Sequence, residues 1–221
     1  MTFQTSSFGR RRRVLNAGSG YRDVRPLPPP FDPAGWDEVR VDVDPAVEPD
    51  HVASLTDMRA ILPDASFDAV WSSHSVEHLY DFELRDALAE FRRILRPDGF
   101  VLVTCPDVES VAAAVLTHGL DHVAYVAPAG PITLHDILYG HTASIAEGAT
   151  AMAHRTGLTA RRLGEMALDA GFPEVAVGRG ELYDLWAVFS MPRVDQAELR
   201  LSLAHTAAGF LFAEQAGAPS P

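Results

Sequence analysis

A glycine-rich turn near the N-terminus constrains the fold of this 221-residue chain more than any other feature. The apolar pair Val14-Leu15 leads directly into Ala17-Gly18-Ser19-Gly20. Two glycines let backbone N–H groups approach a ligand without interference from a Cβ atom. A helix ordinarily follows such a turn, but this chain has prolines at positions 26 and 28–30. The sequence therefore predicts a nucleotide-binding type of turn with no helix behind it.

Apolar and alternating stretches after this turn have the spacing of a layered α/β domain. Strands are predicted at residues 13–16, 38–43, 51–55, 67–72, 100–104, 174–178 and 182–190, and helices at residues 82–95, 159–170 and 195–215. Crossovers between the first five strands indicate a parallel sheet, and a tight turn at Arg179-Gly180 joins the last two strands. The predicted fold class is α/β, a Rossmann-like doubly wound sheet of seven mostly parallel strands that ends in an antiparallel hairpin.

These elements divide the chain into a leader, one domain and a tail. Residues 1–12 are interpreted as a flexible leader, residues 13–192 as the ligand-binding and catalytic domain, and residues 193–221 as a C-terminal helix and tail. A helical and loop insertion at residues 106–155 follows the fifth strand. The apolar segment 199–212 is either a docked core helix or a dimer face, so both a monomer and a homodimer stay open.

The charge and the apolar content restrict the partners. The formal net charge is −12 at pH 7, whereas nucleic-acid enzymes usually have a basic face, so a small-molecule substrate is favoured over DNA or RNA. The basic run at residues 10–13 is interpreted as a solvated leader. No apolar stretch approaches the roughly 20 residues of a membrane span. The one cysteine, Cys105, is consistent with a reducing compartment, so a cytoplasmic protein without a nucleic-acid or membrane partner is expected.

An acidic residue at the end of the second predicted strand supports a nucleoside ligand. In a doubly wound sheet the carboxylate of Asp42 can accept hydrogen bonds from both ribose hydroxyls; a loop aspartate that caps a turn is the alternative. A dinucleotide would need a third glycine and a helix N-terminus for its pyrophosphate, but the third position holds Asp23. A phosphate-free nucleoside, S-adenosylmethionine, avoids both difficulties.

Four segments occur in a characteristic order: VLNAGSG, VRVDVDP, LPDASFDAVWSSHSVEHL and EFRRILRPDGFVLVTCPD. In these segments the chain resembles the class I S-adenosylmethionine-dependent methyltransferases. The resemblance covers about residues 13–107 and, more loosely, residues 157–190, where EVAVGRG and LYDLWAVFS are similar to the family's terminal antiparallel strands. It implies S-adenosylmethionine as the cofactor and transfer of a methyl group to an O or N atom of a small molecule.

The resemblance also implies which residues contact the cofactor. They are Ala17, Gly18, Ser19, Gly20, Asp42, Val43, Leu55, Asp57 and Ser73. The glycine turn would line the methionine portion, Asp42 would hold the ribose, and Val43 would lie against the adenine. Ser54 occupies the position where the family usually has an acidic residue near the adenine amine, so the Leu55 backbone or the Asp57 carboxylate is expected there instead.

A histidine directly after the fourth strand is the predicted catalytic residue. The resemblance places His74 near the sulfonium and the substrate entrance, and an imidazole is suited to proton removal at neutral pH. The alternative is that His74 only caps a helix at residues 75–79 (SVEHL) or contacts the adenine. Glu77 is interpreted as a carboxylate in the first turn of that helix, where the helix dipole favours it.

The insertion at residues 106–155 is expected to form the substrate lid, by analogy with other proteins of this fold. The residues expected to contact the substrate are His78, Asp136, Tyr139 and His141. No metal is expected. His135, Asp136, His141 and His154 are of ligand type, but no two of these residues have the HxxxH or HExxH spacing.

Two alternatives to methyl transfer stay open. The same cofactor can serve an intramolecular displacement that releases methylthioadenosine, or the domain can bind the cofactor without turnover. A dehydrogenase is a more distant alternative. It would be indicated if the protein bound NAD tightly and did not bind S-adenosylmethionine.

Overall fold

A computed structural model describes residues 10–23 and 26–212. The strands are β1 (Arg12–Ala17), β2 (Trp36–Asp42), β3 (His51–Val52), β4 (Phe67–Ser73), β5 (Leu95–Pro106), β6 (Val123–Ala127), β7 (Gly130–Thr133), β8 (Glu174–Arg179) and β9 (Asp184–Ser190). The α-helices are α1 (Asp81–Ile94), α2 (Val108–His118), α3 (Leu134–Tyr139), α4 (Thr142–Ala146), α5 (Ala160–Asp169) and α6 (Gln196–Leu203). Short 3-10 turns lie at Pro45–Val47, Val76–His78, Thr150–Met152 and Gly209–Phe212.

Seven of these strands form one sheet in the order β3-β2-β1-β4-β5-β9-β8. The pairs from β3 to β5 are parallel, and β9 runs antiparallel to both β5 and β8. The predicted α/β fold class is therefore confirmed. Because the strand order reverses between β1 and β4, the carboxyl ends of these two strands border a crevice, which is where ligands bind in open α/β sheets.

Element ends differ from the predictions where proline and sheet pairing decide them. The helix predicted to residue 95 ends at Ile94, and β5 begins at Leu95 without a loop. Pro97 disfavours the helical region for the residue before it, and the chain pairs with β4 instead. β3 has two residues rather than the predicted five.

One face of the sheet is covered by α1 and α5, as their helical spacing predicts. Leu88 and Phe91 of α1 and Leu163 and Met166 of α5 are buried in the larger core cluster. Burying one such side chain stabilises the fold by roughly 1.5–3 kcal/mol. This core anchors β1 and β4, whose carboxyl ends carry the glycine turn and His74.

The opposite face is covered without a helix between β1 and β2, as the prolines predict. Phe31 from the proline-rich loop lies on this face, with its ring stacked 6.1 Å from Phe100 between centroids. Leu199 and Leu203 of α6 pack into the same cluster, so the tail adopts the docked arrangement rather than presenting these residues to another molecule. The predicted helix over residues 195–215 ends at Leu203, and its residues 213–215 lie outside the described part of the chain.

The basic run at residues 10–13 is not a freely solvated leader. Arg10 forms an ion pair with Asp68, and the Arg12 guanidinium lies 4.4 Å from the ring centroid of Trp36. β1 already begins at Arg12. The interpretation of residues 1–12 as a leader is therefore wrong for its last residues, and residues 1–9 lie outside the described part.

The insertion after β5 folds into α2, a β6–β7 hairpin, α3 and α4 around a small core of its own. Its far end returns to the turn after β4, where Arg155 N–H donates to the Glu77 carbonyl at 2.8 Å. The insertion is thus tied to the chain segment that carries His74. Among the described residues, no helix has both the length and the apolar character needed to cross a membrane.

Candidate active site

The glycine turn after β1 has a backbone that only glycine adopts easily. Gly18 and Gly20 have φ angles of +69° and +58°, in the left-handed region that L side chains disfavour. The N–H groups of Gly18 and Ser19 both donate to the Val41 carbonyl, at 2.9 and 3.2 Å. These bonds hold the turn against the end of β2.

Asp42 lies beside this turn, as the sequence predicts. Its Oδ2 accepts a hydrogen bond from Gly20 N–H at 2.9 Å, and its Oδ1 accepts one from Asp44 N–H at 3.0 Å. An ionised carboxylate has about four acceptor sites, so each oxygen retains capacity for one ribose hydroxyl. Contact of Asp42 with a ribose stays a prediction, but the geometry that it needs is present.

A buried arginine, which the sequence analysis did not single out, supports the turn from the other side. The Arg40 guanidinium is buried and donates to the Gly20 carbonyl and, at 3.1 Å, to the Glu48 carbonyl. Arg40 precedes Asp42 by two residues on β2, so it reads as an ordinary polar position of an alternating strand. Its burial depends on the glycine turn and on the 3-10 segment after β2, which enclose the side chain only in the folded protein.

A cavity of about 250 Å³ lies between the carboxyl ends of β1 and β4. Its lining consists of Asn16, Gly18, Ser19, Pro26, Trp71, Ser73 and His74. Four of these residues are predicted site residues, whereas Asn16 and Trp71 were missed because they read as buried strand positions. Pro26 places the proline-rich loop at the cavity wall.

The cavity contains polar groups that are available to a ligand. The Ser19 hydroxyl is buried and has no hydrogen-bond partner within residues 10–23 and 26–212. Asn16 donates through Nδ2 to Glu38 Oε1 at 2.7 Å, which leaves its carbonyl oxygen as an acceptor. A buried hydroxyl without a partner is costly, so the cavity fits a polar ligand better than an apolar one.

The remaining predicted cofactor residues follow β1, β2 and β3 along the same edge of the sheet. Ala17 is buried at the end of β1, and Val43 is 54% exposed directly after β2. The Leu55 side chain is part of the core, so only its backbone can face a ligand. Asp57 is exposed and lies 3.5 Å from Arg59. The contacts of these residues with the cofactor stay predictions.

His74 has a strained backbone at the cavity wall. Its φ is +47°, and its N–H donates to the Thr104 carbonyl at 2.9 Å. A non-glycine residue in this region costs of order 1–3 kcal/mol and occurs preferentially at functional sites. Its side chain is 41% exposed, and its Nδ1 lies 3.3 Å from Glu77 Oε1.

Glu77 lies in the first turn of a helix directly after β4, as interpreted from the sequence, but this helix is a single 3-10 turn. It belongs to the separate 3-10 turn Val76–His78, whereas α1 begins at Asp81. Its side chain is only 2% exposed, and neither carboxylate oxygen has a hydrogen bond of good geometry among the described residues. The helix dipole of α1 therefore does not explain this residue.

The electrostatic surroundings of Glu77 favour its ionised form. Burial alone raises the pKa of Glu77, but the adjacent His74, followed by His78 and His154, outweighs burial and holds that pKa below its usual value. Burial also lowers the pKa of His154, although the Glu77 charge opposes this.

The four predicted substrate residues occupy different surroundings. His78 contacts the returning end of the insertion through Nδ1, 3.3 Å from the Ala153 carbonyl. Asp136 caps α3, where its oxygens accept from Thr133 and from Thr142 N–H. Tyr139 is exposed, and His141 Nδ1 lies 2.8 Å from Ser144 Oγ. Contact of these residues with a substrate stays a prediction.

Residues 37–103 match a family model described as "Methyltransferase domain". The match spans β2 to β5 and so includes Asp42, Ser73 and His74. No curated protein matches the sequence.

Several solved structures have a similar fold. An S-adenosylmethionine-dependent methyltransferase from Archaeoglobus fulgidus superposes with a TM-score of 0.54 at 13% identity, over 81% of this chain and 86% of the other. The 1,6-didemethyltoxoflavin-N1-methyltransferase of Burkholderia thailandensis, with S-adenosylhomocysteine bound, has a TM-score of 0.50 at 17% identity, over 82% and 72%. The CurJ carbon methyltransferase has a TM-score of 0.53 at 11% identity, over 85% of this chain and 50% of the other. At these identities the likeness shows the fold alone.

Proposed function

We propose that this chain is a class I S-adenosylmethionine-dependent methyltransferase, in keeping with the matching family model, and that it transfers a methyl group to an O or N atom of a small molecule. The observation that carries this proposal is the contact between Asp42 and Gly20 beside a polar cavity. This contact places the Asp42 carboxylate, which suits a ribose, beside the glycine turn, which suits the amino acid portion of the cofactor.

The protein's contribution is mainly positioning. Bound S-adenosylmethionine supplies an activated methyl group on a sulfonium, so the transfer needs an acceptor held in line with that bond. Gly18 lines the cavity, Asp42 offers acceptors for the ribose, and Ser19 offers a buried hydroxyl to the polar tail. Exposed Val43 offers an apolar surface to the adenine ring.

His74 is the proposed general base for an acceptor that must lose a proton. Its Nδ1 faces Glu77 Oε1 at 3.3 Å, which favours the tautomer with a proton on Nδ1 and leaves the Nε2 lone pair available. His74 also lines the cavity. A positioned base of this kind accelerates a reaction by about 10²–10⁴-fold.

The acceptor class rests on charge and on this histidine. A net charge of −12 disfavours a polyanionic substrate, and a base beside the cavity is most useful to a hydroxyl or an ammonium group. The fold does not choose the acceptor atom, because the similar structures include an N-methyltransferase and a carbon methyltransferase.

Product analysis tests this function. The protein is incubated with S-adenosylmethionine and a panel of small alcohols, phenols and amines, and the nucleoside products are measured by mass spectrometry. Acceptor-dependent S-adenosylhomocysteine is expected, and methylthioadenosine as the product would contradict methyl transfer. His74→Asn should lower kcat by about 10²–10⁴-fold with little change in cofactor affinity. Asparagine tolerates the left-handed backbone, and His51→Asn on β3 serves as the control.

A further inference from the structure

We propose that Glu77, His78 and His154 form a binding site for a divalent first-row transition metal of the zinc class. One potential ligand atom from each residue lies within 4.8 Å of the other two. Two residues come from the turn after β4, and the third comes from the returning end of the insertion. No single motif contains all three residues.

The Glu77 carboxylate gives the first reason for a cation here. The residue is 2% exposed, and neither of its oxygens has a hydrogen bond of good geometry within the described ranges. The nearest cationic candidates are His74 Nδ1 at 3.3 Å and His154 Nε2 at 4.0 Å. A buried carboxylate is costly unless it is paired or bound to a metal. A metal ion would supply the missing charge.

The two histidines are oriented as metal ligands usually are. His154 Nδ1 lies 3.0 Å from the Ile137 carbonyl, and His78 Nδ1 lies 3.3 Å from the Ala153 carbonyl. A carbonyl oxygen near Nδ1 favours a proton on that nitrogen, so the lone pair is on Nε2. Histidines that bind metals usually donate their other ring N–H to a carbonyl or carboxylate in this way. The rings lie 4.9 Å apart between centroids.

The backbone holds the two segments together before any metal binds. Arg155 N–H and Thr156 N–H both donate to the Glu77 carbonyl, at 2.8 and 3.3 Å, and His154 N–H donates to the Tyr139 carbonyl at 3.1 Å. Ligand atoms around a tetrahedral zinc ion at about 2.0–2.1 Å lie roughly 3.4 Å apart. From separations of up to 4.8 Å, the ligand atoms therefore need to approach by at most about 1.4 Å, which changes in side-chain torsion can provide.

The donor set selects the kind of metal. Two imidazole nitrogens and one carboxylate oxygen suit zinc, iron, cobalt or nickel, whereas magnesium and calcium prefer oxygen ligands throughout. The carboxylate provides one negative charge and the neutral imidazoles none. His74 Nδ1 lies 3.3 Å from Glu77 Oε1, so the metal would bind through Oε2, the second oxygen of the carboxylate. The metal would thus tie the insertion to the turn that carries His74.

Metal binding to the untagged, chelator-treated protein tests the proposal without any activity assay. Zinc is titrated calorimetrically, cobalt is followed by its visible absorption, and bound metal is counted by elemental analysis. We expect one equivalent of zinc, a cobalt spectrum of low coordination number, and no competition from excess magnesium. His154→Gln and His78→Gln should each weaken zinc binding more than about 100-fold. Loss of a residue that only supports a metal ligand typically weakens binding by about 10–100-fold, so a larger effect identifies the histidines as ligands.

A matched control separates this site from the protein surface. His118 and His122 also have HxxxH spacing, and their rings stack at 4.6 Å on an exposed part of the insertion. The double variant His118→Ala/His122→Ala should leave the stoichiometry and affinity unchanged. Three results would overturn the proposal. They are loss of zinc binding in this double variant alone, binding of less than one equivalent of zinc by wild type, and equal competition by magnesium. Circular dichroism verifies that the glutamine variants are folded. The readouts do not involve S-adenosylmethionine, so failure here leaves the proposed function intact.

Discussion

Gly18 and Ser75 lie so close together that a Cβ atom on Gly18 would overlap Ser75 Oγ and lie 2.5 Å from Ser75 Cβ. The Ser75 hydroxyl donates to the Gly18 carbonyl at 3.1 Å. This contact joins the turn after β1 to the turn after β4. The two walls of the cavity are thus fixed relative to one another by a pair of residues that leaves no room for a side chain.

Gly18→Ala should therefore abolish cofactor binding and lower the free energy of unfolding. The left-handed backbone alone costs roughly 1–2 kcal/mol for alanine, and the overlap adds to that cost. Thermal unfolding and calorimetry with S-adenosylmethionine measure the two effects.

A rescue variant distinguishes overlap from backbone strain. Ser75→Gly removes both atoms that the new Cβ would meet and leaves Ser75 Cα at 3.8 Å. Gly18→Ala/Ser75→Gly should regain part of the stability that Gly18→Ala loses. Gly119→Ala, at φ +87° with nothing within 4 Å, reports strain without overlap and should leave binding intact. Equal loss of binding in both alanine variants would contradict the steric explanation.

Arg40→Met should destabilise the protein and loosen the glycine turn. The buried guanidinium donates to the Gly20 and Glu48 carbonyls, and methionine leaves these acceptors without a donor. We expect a loss of about 1–3 kcal/mol for each carbonyl left unsatisfied, together with weaker S-adenosylmethionine binding. Arg22→Met removes an exposed ion pair with Glu38 and should cost less than about 1 kcal/mol. Urea unfolding compares the two; similar losses would show that burial of Arg40 is unimportant.

Glu90 should make the stability of the protein depend on pH in the acid range. Its side chain is 2% exposed. Burial raises its pKa, but hydrogen bonds from Arg93 and from Met58 N–H, at 2.7 Å, outweigh burial and hold the pKa below its usual value. A pKa that is lower in the folded than in the unfolded state contributes stability that is fully present above the unfolded value, about 4.3. That contribution declines as the pH falls from there through the folded-state pKa.

Comparison of wild type with Glu90→Gln by urea unfolding across this range measures the effect. The stability difference should be constant near neutral pH and should shrink below about pH 4.3. Glu174→Gln, at an exposed position of β8, serves as the control. A difference between wild type and Glu90→Gln that does not change with pH would contradict the assignment.

The arrangement around Asp42 was predictable, because it depends on features that the sequence displays locally. Glycines after an apolar strand, an acidic residue ending the next strand and prolines between them indicate both the turn and the missing helix. The parallel register of β1 and β2 then brings Gly20 and Asp42 together. The docked position of α6 was one of two alternatives, since an apolar helix face does not indicate which surface covers it.

The Glu77 cluster was not predicted, because its surroundings are made by distant segments. His154 reaches Glu77 only through the fold of the whole insertion. One signal was visible in the sequence: His74 and His78 have HxxxH spacing directly after β4. Asp136 shows the opposite case. Its residue type indicates a substrate or metal contact, but in the structure its carboxylate caps α3.

Calorimetry with S-adenosylmethionine and S-adenosylhomocysteine on wild type and Asp42→Ala tests the central claim most directly. Asp98→Ala, which removes the same charge from an exposed position of β5, is the control, and thermal unfolding verifies that each variant is folded. We predict clear binding by wild type and by Asp98→Ala, and a loss of about 1–3 kcal/mol in Asp42→Ala, the usual cost of removing a charged hydrogen-bond partner. Unchanged affinity in a folded Asp42→Ala variant would contradict the assignment of this carboxylate to the cofactor.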